Sequence, residues 1–113
     1  MNIQISRWGQ SAGKNAQYVV QPYFVPANMV RFLAPAGTLT YSLSWAPGRA
    51  SFRTFRQSET GGVRQMIAAH TFTSGVPVPE TESVRLNFSV FYGQHNPMRR
   101  GAEVIIEQFE YLP

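Results

Sequence analysis

The side chains that could carry out acid–base chemistry in this sequence are glutamates. The chain has six acidic residues, all of them Glu, and three of these lie in the C-terminal run at Glu103, Glu107 and Glu110. If that run is a β-strand, Glu103 and Glu107 share a face with Cα atoms about 13 Å apart. Two carboxylates that cleave a glycosidic bond stand about 5–9.5 Å apart. We therefore expect these glutamates to be solvated or paired rather than catalytic.

Other catalytic and metal-binding chemistries have little support. His70 and His95 are far apart in the chain and lack the spacing of metal ligands. Neither lies in a pattern that predicts a hydrolytic triad. The chain has no Cys, which excludes disulfides and thiolate metal sites, and it has no Gly-rich phosphate loop or Asp-rich calcium loop. The sequence therefore predicts neither a metal site nor a cofactor.

Amides, rather than carboxylates, mark the first segment of the chain, NIQISRWG from Asn2 to Gly9. Asn2 and Gln4 can form hydrogen bonds with a sugar hydroxyl. They cannot carry the negative charge or the exchangeable proton that glycosidic cleavage requires. This segment therefore supplies hydrogen-bonding groups but no acid–base group.

The elements that would position these groups read as β-strands separated by Pro and Gly turns, with no convincing helix. The clearest pattern is Thr38 to Trp45, a strand with Leu39, Tyr41, Leu43 and Trp45 on one face. A turn at Ala46-Pro47-Gly48 and a return strand from Arg49 to Arg56 predict a hairpin, and Trp45 is expected in the core.

Shorter strands are predicted on either side of this hairpin. Before it, they cover Asn2–Trp8, Gln17–Phe24 with an interruption at Pro22, and Asn28–Leu33. After it, Val63–Ala69 leaves a helical turn open as an alternative, whereas Thr71–Thr73 favours a strand.

Two further strands are predicted near the C-terminus. Val84 to Tyr92 alternates, and Ala102 to Leu112 contains a run, Val104 to Ile106, that is apolar on both faces. With 113 residues, the chain is expected to form one domain. This many short strands predict an all-β antiparallel sandwich or jelly roll.

Charge and hydropathy limit the possible partners. The net charge is +4, which raises the question of nucleic acid. The basic residues are spread along the chain, so we do not expect nucleic-acid binding. No run reaches the ~18 apolar residues of a membrane span, so we expect no membrane partner. No basic-then-apolar leader is present, which leaves the compartment open.

Four segments, in order, resemble family-16 glycoside hydrolases of the laminarinase and lichenase type. The first strand is similar to that family's acidic strand, E-x-D-x-E or E-x-D-x-x-E, with Asn2 in place of the Asp and Gln4 in place of the acid/base. The other three segments are YSLSWAPGRASFR (Tyr41–Arg53), VRLNFSVF (Val84–Phe91) and AEVIIEQFEYLP (Ala102–Pro113). They resemble, respectively, the family's Y-x-I-x-W-x-P-x-x-I-x-F hairpin, its L-x-L-N-L-W strand and its closing strand.

This resemblance implies a concanavalin A-like jelly roll. Whole sandwiches run to roughly 200–250 residues, so the chain would form about half of one. It also implies a concave face on which aromatic rings stack on glucose, with binding residues at Arg7, Trp8, Asn87, Phe91 and Tyr92. For each of these aromatic residues, a place in the core is the alternative.

Three functions follow from the resemblance and stay open at this point. The first is binding of a β-glucan without cleavage, since the family cuts such glucans but this chain lacks the carboxylates and has nothing before Met1 to supply the nucleophile. The second is a truncated fragment of such a domain, with Met1 not the true start. The third is a structural or interaction module whose sandwich is closed by homodimerisation. Members of the family are usually secreted or periplasmic.

Overall fold

The computed structural model describes residues 1–58, 61–89 and 103–112. These residues form two antiparallel sheets of three strands each and one short 3-10 turn at Pro26–Asn28. The N-terminal sheet contains β1 (Asn2–Ile5), β2 (Ala16–Val19) and β3 (Met29–Phe32). The central sheet contains β4 (Thr40–Ala46), β5 (Arg49–Arg56) and β6 (Gln65–Phe72). The all-β, antiparallel character expected from the sequence is confirmed.

In the N-terminal sheet, all four residues of the middle strand β2 are buried, so the strand is covered on both faces. β1 ends at Ile5, earlier than the sequence pattern predicts. The reason is a turn in which Trp8 and Gly9 both take positive φ, +53° and +83°, a conformation that lies outside the β region of regular strands. β2 ends before Pro22, which lacks the N–H needed to continue a ladder.

The central sheet contains the predicted hairpin. β4 and β5 pair from Thr40 opposite Phe55 to Ala46 opposite Arg49. Gly48 in the turn takes φ +71°, which favours Gly because a Cβ is disfavoured there. The region from Gln65 to Phe72 forms the strand β6, so the helical turn considered for Val63–Ala69 is wrong. Its pairing with β5 shifts register between Thr54 and Phe55.

Tyr18 lies at the centre of the core between the two sheets. Its ring packs against Phe32 in its own sheet and Phe52 in the other, with ring centroids 4.7 and 5.0 Å away. Its hydroxyl shares a 2.5 Å hydrogen bond with the Thr54 hydroxyl and donates to the Ala68 carbonyl at 3.2 Å. The two sheets thus pack in a sandwich-like manner, with the buried hydroxyl satisfied from the opposite sheet.

Aromatic and aliphatic residues of the hairpin pack at the edge of this core. Leu39 and Tyr41 contact it, in agreement with the predicted apolar face. Trp45 is half-buried, and its Nε1 donates to the Pro77 carbonyl at 2.7 Å. Trp45 is therefore a border residue rather than a fully enclosed one.

The two strands predicted near the C-terminus, Val84 to Tyr92 and Ala102 to Leu112, do not form within the described residues. Residues 84–89 and 103–112 lie outside every strand and are exposed along their whole length. A strand exists only where its N–H and C=O groups pair with a neighbour, and neither sheet extends to these segments. The remaining parts of both predictions, including Phe91, Tyr92 and Ala102, lie outside the described residues.

Within the part of the chain that the structure describes, no helix has the length and apolar character needed to cross a lipid bilayer.

Candidate functional site

Three polar side chains form a ladder across the outer face of the N-terminal sheet. The strand register places Gln4 opposite Gln17 and Gln17 opposite Arg31. Gln17 Nε2 donates to Gln4 Oε1 at 2.5 Å, and Arg31 Nη1 donates to Gln17 Oε1. Gln17 is only 3% exposed, so these bonds satisfy an amide that water does not reach.

Arg31 joins this ladder to the loop that follows β1. Its second terminal nitrogen, Nη2, donates to the backbone carbonyls of Ser6 at 3.0 Å and Lys14 at 2.8 Å. A planar guanidinium group can make several such bonds at once because its donors point in fixed directions. Arg31 therefore fixes both ends of the loop against the polar face.

Asn15 anchors the same loop from the other side. Its side-chain Nδ2 donates to the Ala34 carbonyl at 3.0 Å, and its Oδ1 accepts from the Ala34 N–H at 2.7 Å. The backbone adds a bond from the Ser6 N–H to the Asn15 carbonyl at 2.7 Å. The loop between β1 and β2 is thus held by side-chain and backbone bonds at its base.

Trp8 stands at the tip of the first turn in this loop. Its backbone N–H donates to Ser6 Oγ at 2.9 Å. The turn is closed by a backbone hydrogen bond from the Gln10 N–H to the Arg7 carbonyl at 3.1 Å. Its φ of +53° is rare for a bulky residue and costs on the order of 1–3 kcal/mol. The side chain remains 39% exposed, so the turn presents part of an indole ring to solvent.

Arg7, a predicted binding residue, and Asn2, which stands in place of a catalytic Asp in the sequence resemblance, lie in the same region. Arg7 is exposed beside Trp8, and its Nε donates to the Gly13 carbonyl at 3.4 Å. Asn2 lies on β1 two residues before Gln4, on the same face of the sheet, and is half-buried. The ladder and the turn that carries Arg7 and Trp8 meet at Ser6, which bonds to both Arg31 and Trp8.

The C-terminal candidates do not join this region in the described part of the chain. Asn87 lies in the exposed segment 84–89, and no hydrogen bond connects it to another described residue. Phe91 and Tyr92 lie outside the described residues.

Sequence reasoning missed Gln17 and Arg31, the two residues that complete the ladder. Gln17 stands between Ala16 and Tyr18, in an otherwise apolar strand. A polar side chain inside such a strand needs a partner when it is buried. That mismatch was the available signal, but only the strand register shows that the partners are Gln4 and Arg31.

The electrostatics of this surface do not support acid–base catalysis. Neither sheet contains an Asp or Glu, and the described glutamates lie in exposed segments without strands. Among the described residues, no group of three His, Asp or Glu side chains could hold a metal ion. The surface can donate and accept hydrogen bonds and can stack on a ring, but its side chains hold no carboxylate for proton transfer.

A second polar surface lies on the outer face of the central sheet. Three serines, one alanine and two arginines line a shallow concavity of about 420 Å³ there: Ser42, Ser44, Ser51, Ala46, Arg49 and Arg53. Arg49 and Arg53 are exposed, and no hydrogen bond or ion pair to either guanidinium group occurs among the described residues. The sequence patterns did not indicate this surface.

Comparisons with protein-family models, with curated proteins and with solved structures found no match for this chain.

Proposed function

We propose that this chain binds a polysaccharide without cleaving it, on the outer face of the N-terminal sheet. The observation that carries the proposal is Trp8, a bulky residue at φ +53° whose ring is partly exposed at the end of a hydrogen-bonded polar ladder. A strained conformation that the surrounding structure maintains is a feature of functional sites.

The chemistry of this surface suits a sugar. The apolar C–H face of a pyranose ring packs on a flat aromatic surface such as the indole of Trp8. Amide groups both donate and accept, and a guanidinium group donates, which together match the hydroxyls around the ring. Asn2, Gln4 and Arg7 supply these groups next to the turn.

Binding rather than hydrolysis follows from the missing carboxylates. Glycoside hydrolysis requires two of them, one to donate a proton and one to act as nucleophile or base. Asn2 and Gln4 are amides, and both sheets lack acidic residues. We therefore expect no release of reducing ends from a β-glucan by the purified chain, and measurable release would contradict the proposal.

The finer parts of the proposal rest on the sequence resemblance. They are that the fold is a concanavalin A-like jelly roll, present here as about half of a family-16-like domain, and that the ligand is a β-1,3 or β-1,3/1,4 glucan. The predicted hairpin over Tyr41–Arg53 is supported by the pairing of β4 with β5.

The test uses the fact that the chain has two Trp residues. Trp45→Phe leaves Trp8 as the sole indole, so its fluorescence reports on the proposed site alone. We expect laminarin or lichenan to shift this emission to shorter wavelength and to raise the Tm, since a ligand that binds only the folded state stabilises it.

A second variant checks that the ring itself binds. Trp8→Gly removes the indole but tolerates the positive φ, so the turn should keep its shape. We expect its affinity for the same glucan, measured by calorimetry, to fall by about tenfold or more, equivalent to about 1.4 kcal/mol. Trp45→Phe is the matched control and should retain affinity. Equal affinity in Trp8→Gly, or no response of the native chain to either glucan, would overturn the proposal.

A further inference from the structure

Beyond glycan binding, we propose that this chain forms a reciprocal homodimer by strand addition. In this dimer, residues 103–109 of one copy pair antiparallel with β4 of a second copy, so that each central sheet gains a fourth strand from its partner. The segment, the edge and the charges around them each support this arrangement.

β4 is the edge of the molecule best suited to accept a strand. It has seven residues, none charged and none Pro, whereas natural edge strands are usually protected by charge, Pro, a bulge or short length. No hydrogen bond reaches its outer backbone groups from any described residue. By contrast, β1 and β3 have four residues each, and β6 carries a register shift.

The segment 103–112 has the sequence of a strand but no partner in the structure. Val104 is 62% exposed and Ile106 is 58% exposed. The segment is not part of either sheet. It contains no Pro before position 113 and is apolar on both faces around Ile105. Apolar side chains exposed in this number mark a surface that another surface covers.

Charge complementarity selects one register. Glu103 and Glu107 lie four residues apart, as do Arg49 and Arg53, and each pair spans about 13 Å along a strand. With Glu103 placed opposite Ala46, the two glutamates align with the two arginines across β4. The strands that carry the opposite charges are then about 9–10 Å apart, a gap that Arg and Glu side chains span.

The same register explains the concavity on the outer face. Glu107 falls opposite Ser42, and Ile105 falls opposite Ser44, by extension of the observed pairing. The small side chains of β4 leave open the space of about 420 Å³ between the two arginines and the free edge. The guanidinium groups can cross that space to reach the carboxylates because bulky side chains do not block it.

On the inner face, this register also matches apolar groups. Val104 falls beside Trp45 and Ile106 beside Leu43, which is itself 40% exposed on β4. Neighbouring side chains of paired strands contact each other directly. The segment therefore places Glu103 and Glu107 on the charged outer face, with Ile105 between them opposite Ser44, and Val104 and Ile106 next to the core.

The second copy is the committed occupant because each chain carries both the uncharged edge β4 and, in residues 103–109, a segment whose glutamates match the arginines beside that edge. In the structure, a chain does not place its own segment on its own β4. Reciprocal exchange pairs both edges and both segments and closes with two-fold symmetry, which leaves neither β4 open for further growth.

The first experiment uses the absence of Cys in the chain. Ser44→Cys combined with Ile105→Cys places two thiols on directly paired residues, within the 4.4–6.8 Å Cα separation that a disulfide requires. On oxidation, we expect a covalent dimer of twice the 12.7 kDa chain mass. A disulfide within one chain, or no disulfide, would overturn the proposal. Thr71→Cys with Ile105→Cys is the control and should not cross-link, because Thr71 lies on β6.

The second experiment tests the charge register in the full chain without cross-links. We expect native protein to sediment as a dimer, and its Kd to rise by at least about tenfold in either Arg49→Glu/Arg53→Glu or Glu103→Arg/Glu107→Arg. Combining the two charge reversals should restore dimerisation. The matched control, Glu80→Arg/Glu82→Arg, changes the net charge by the same amount as Glu103→Arg/Glu107→Arg, but in a different exposed loop. It should leave the Kd of the dimer unaltered.

A monomeric native chain at tens of micromolar, or no rescue in the combined variant, would contradict the dimer. Trp8 lies outside the proposed contact, so Trp8→Gly should remain dimeric. Failure of glycan binding and failure of dimerisation are thereby distinguished.

Discussion

The outer faces of the two sheets carry similar residue types but use them in opposite ways. On the N-terminal sheet, Gln4, Gln17 and Arg31 bond to one another and to the adjoining loop. On the central sheet, Arg49 and Arg53 make no such bonds among the described residues. Polar side chains that satisfy each other stabilise the fold, whereas those left unpaired remain able to meet a partner.

The largest expected effect separates these two roles of Arg. Arg31→Ala removes three donated hydrogen bonds and leaves the buried Gln17 carbonyl unpaired. We expect the free energy of unfolding to fall by about 2–3 kcal/mol. Arg53→Ala, on the other sheet, should change it by less than about 0.5 kcal/mol.

Urea denaturation of both variants measures this difference. The protein concentration must be low enough that association does not add to stability. Equal losses in Arg31→Ala and Arg53→Ala would show that the two faces do not differ as described.

A middle-sized effect tests the inner face of the N-terminal sheet through Tyr18. Burial raises the pKa of the Tyr18 hydroxyl above its usual value of 10.0, although the Thr54 hydrogen bond opposes this. The folded state therefore disfavours the phenolate. Stability is fully present below the unfolded-state pKa of about 10 and is lost as pH rises through the higher folded-state pKa.

Tyr18→Phe removes this titration and leaves the buried Thr54 hydroxyl without its partner. At neutral pH we expect a loss of about 1–3 kcal/mol, with a weaker decline in stability above about pH 10. Tyr41 also has a raised pKa, caused by burial and then by the charge of Tyr18, so some alkaline sensitivity should remain. Chemical denaturation between pH 8 and 11 checks both points, and an unchanged alkaline slope would contradict the assignment to Tyr18.

The smallest effect concerns Trp8 at the end of the polar ladder. Trp8→Gly relieves a positive φ that costs a bulky residue on the order of 1–3 kcal/mol. It also raises the conformational entropy of the unfolded chain and removes the contacts of the indole ring, and both of these effects lower stability. These contributions oppose each other, so we expect a change in stability within about 1 kcal/mol. A thermal melt measures it, and a much larger loss would show that the ring is part of the core rather than of a binding surface.

How far the fold could be predicted from the sequence depends on the region. The hairpin was predicted well, because alternation over Thr38–Trp45 and the Pro47-Gly48 turn are local signals. The end of β1 was predicted less well, because nothing in the Arg7-Trp8-Gly9 sequence indicates that Trp8 takes a left-handed conformation. Residues 84–89 and 103–112 carry equally clear strand patterns yet form no strand, since pairing needs a neighbour that periodicity does not supply.

The candidate site divides in the same manner. Asn2, Gln4, Arg7 and Trp8 are close in sequence, so a local pattern placed them together. The Gln17 and Arg31 partners come from strands that meet only through the sheet register.

By itself, the sequence determined an all-β chain, the position of its central hairpin and the absence of carboxylates from its first segment, Asn2 to Gly9. Only the tertiary structure decided which polar groups bond to one another and, within residues 1–58, 61–89 and 103–112, which arginines remain unpaired and which strand-like segments lack a neighbour. The physical reason is that alternation and turn residues act over a few residues, whereas hydrogen-bond partners and burial arise between strands distant in the chain.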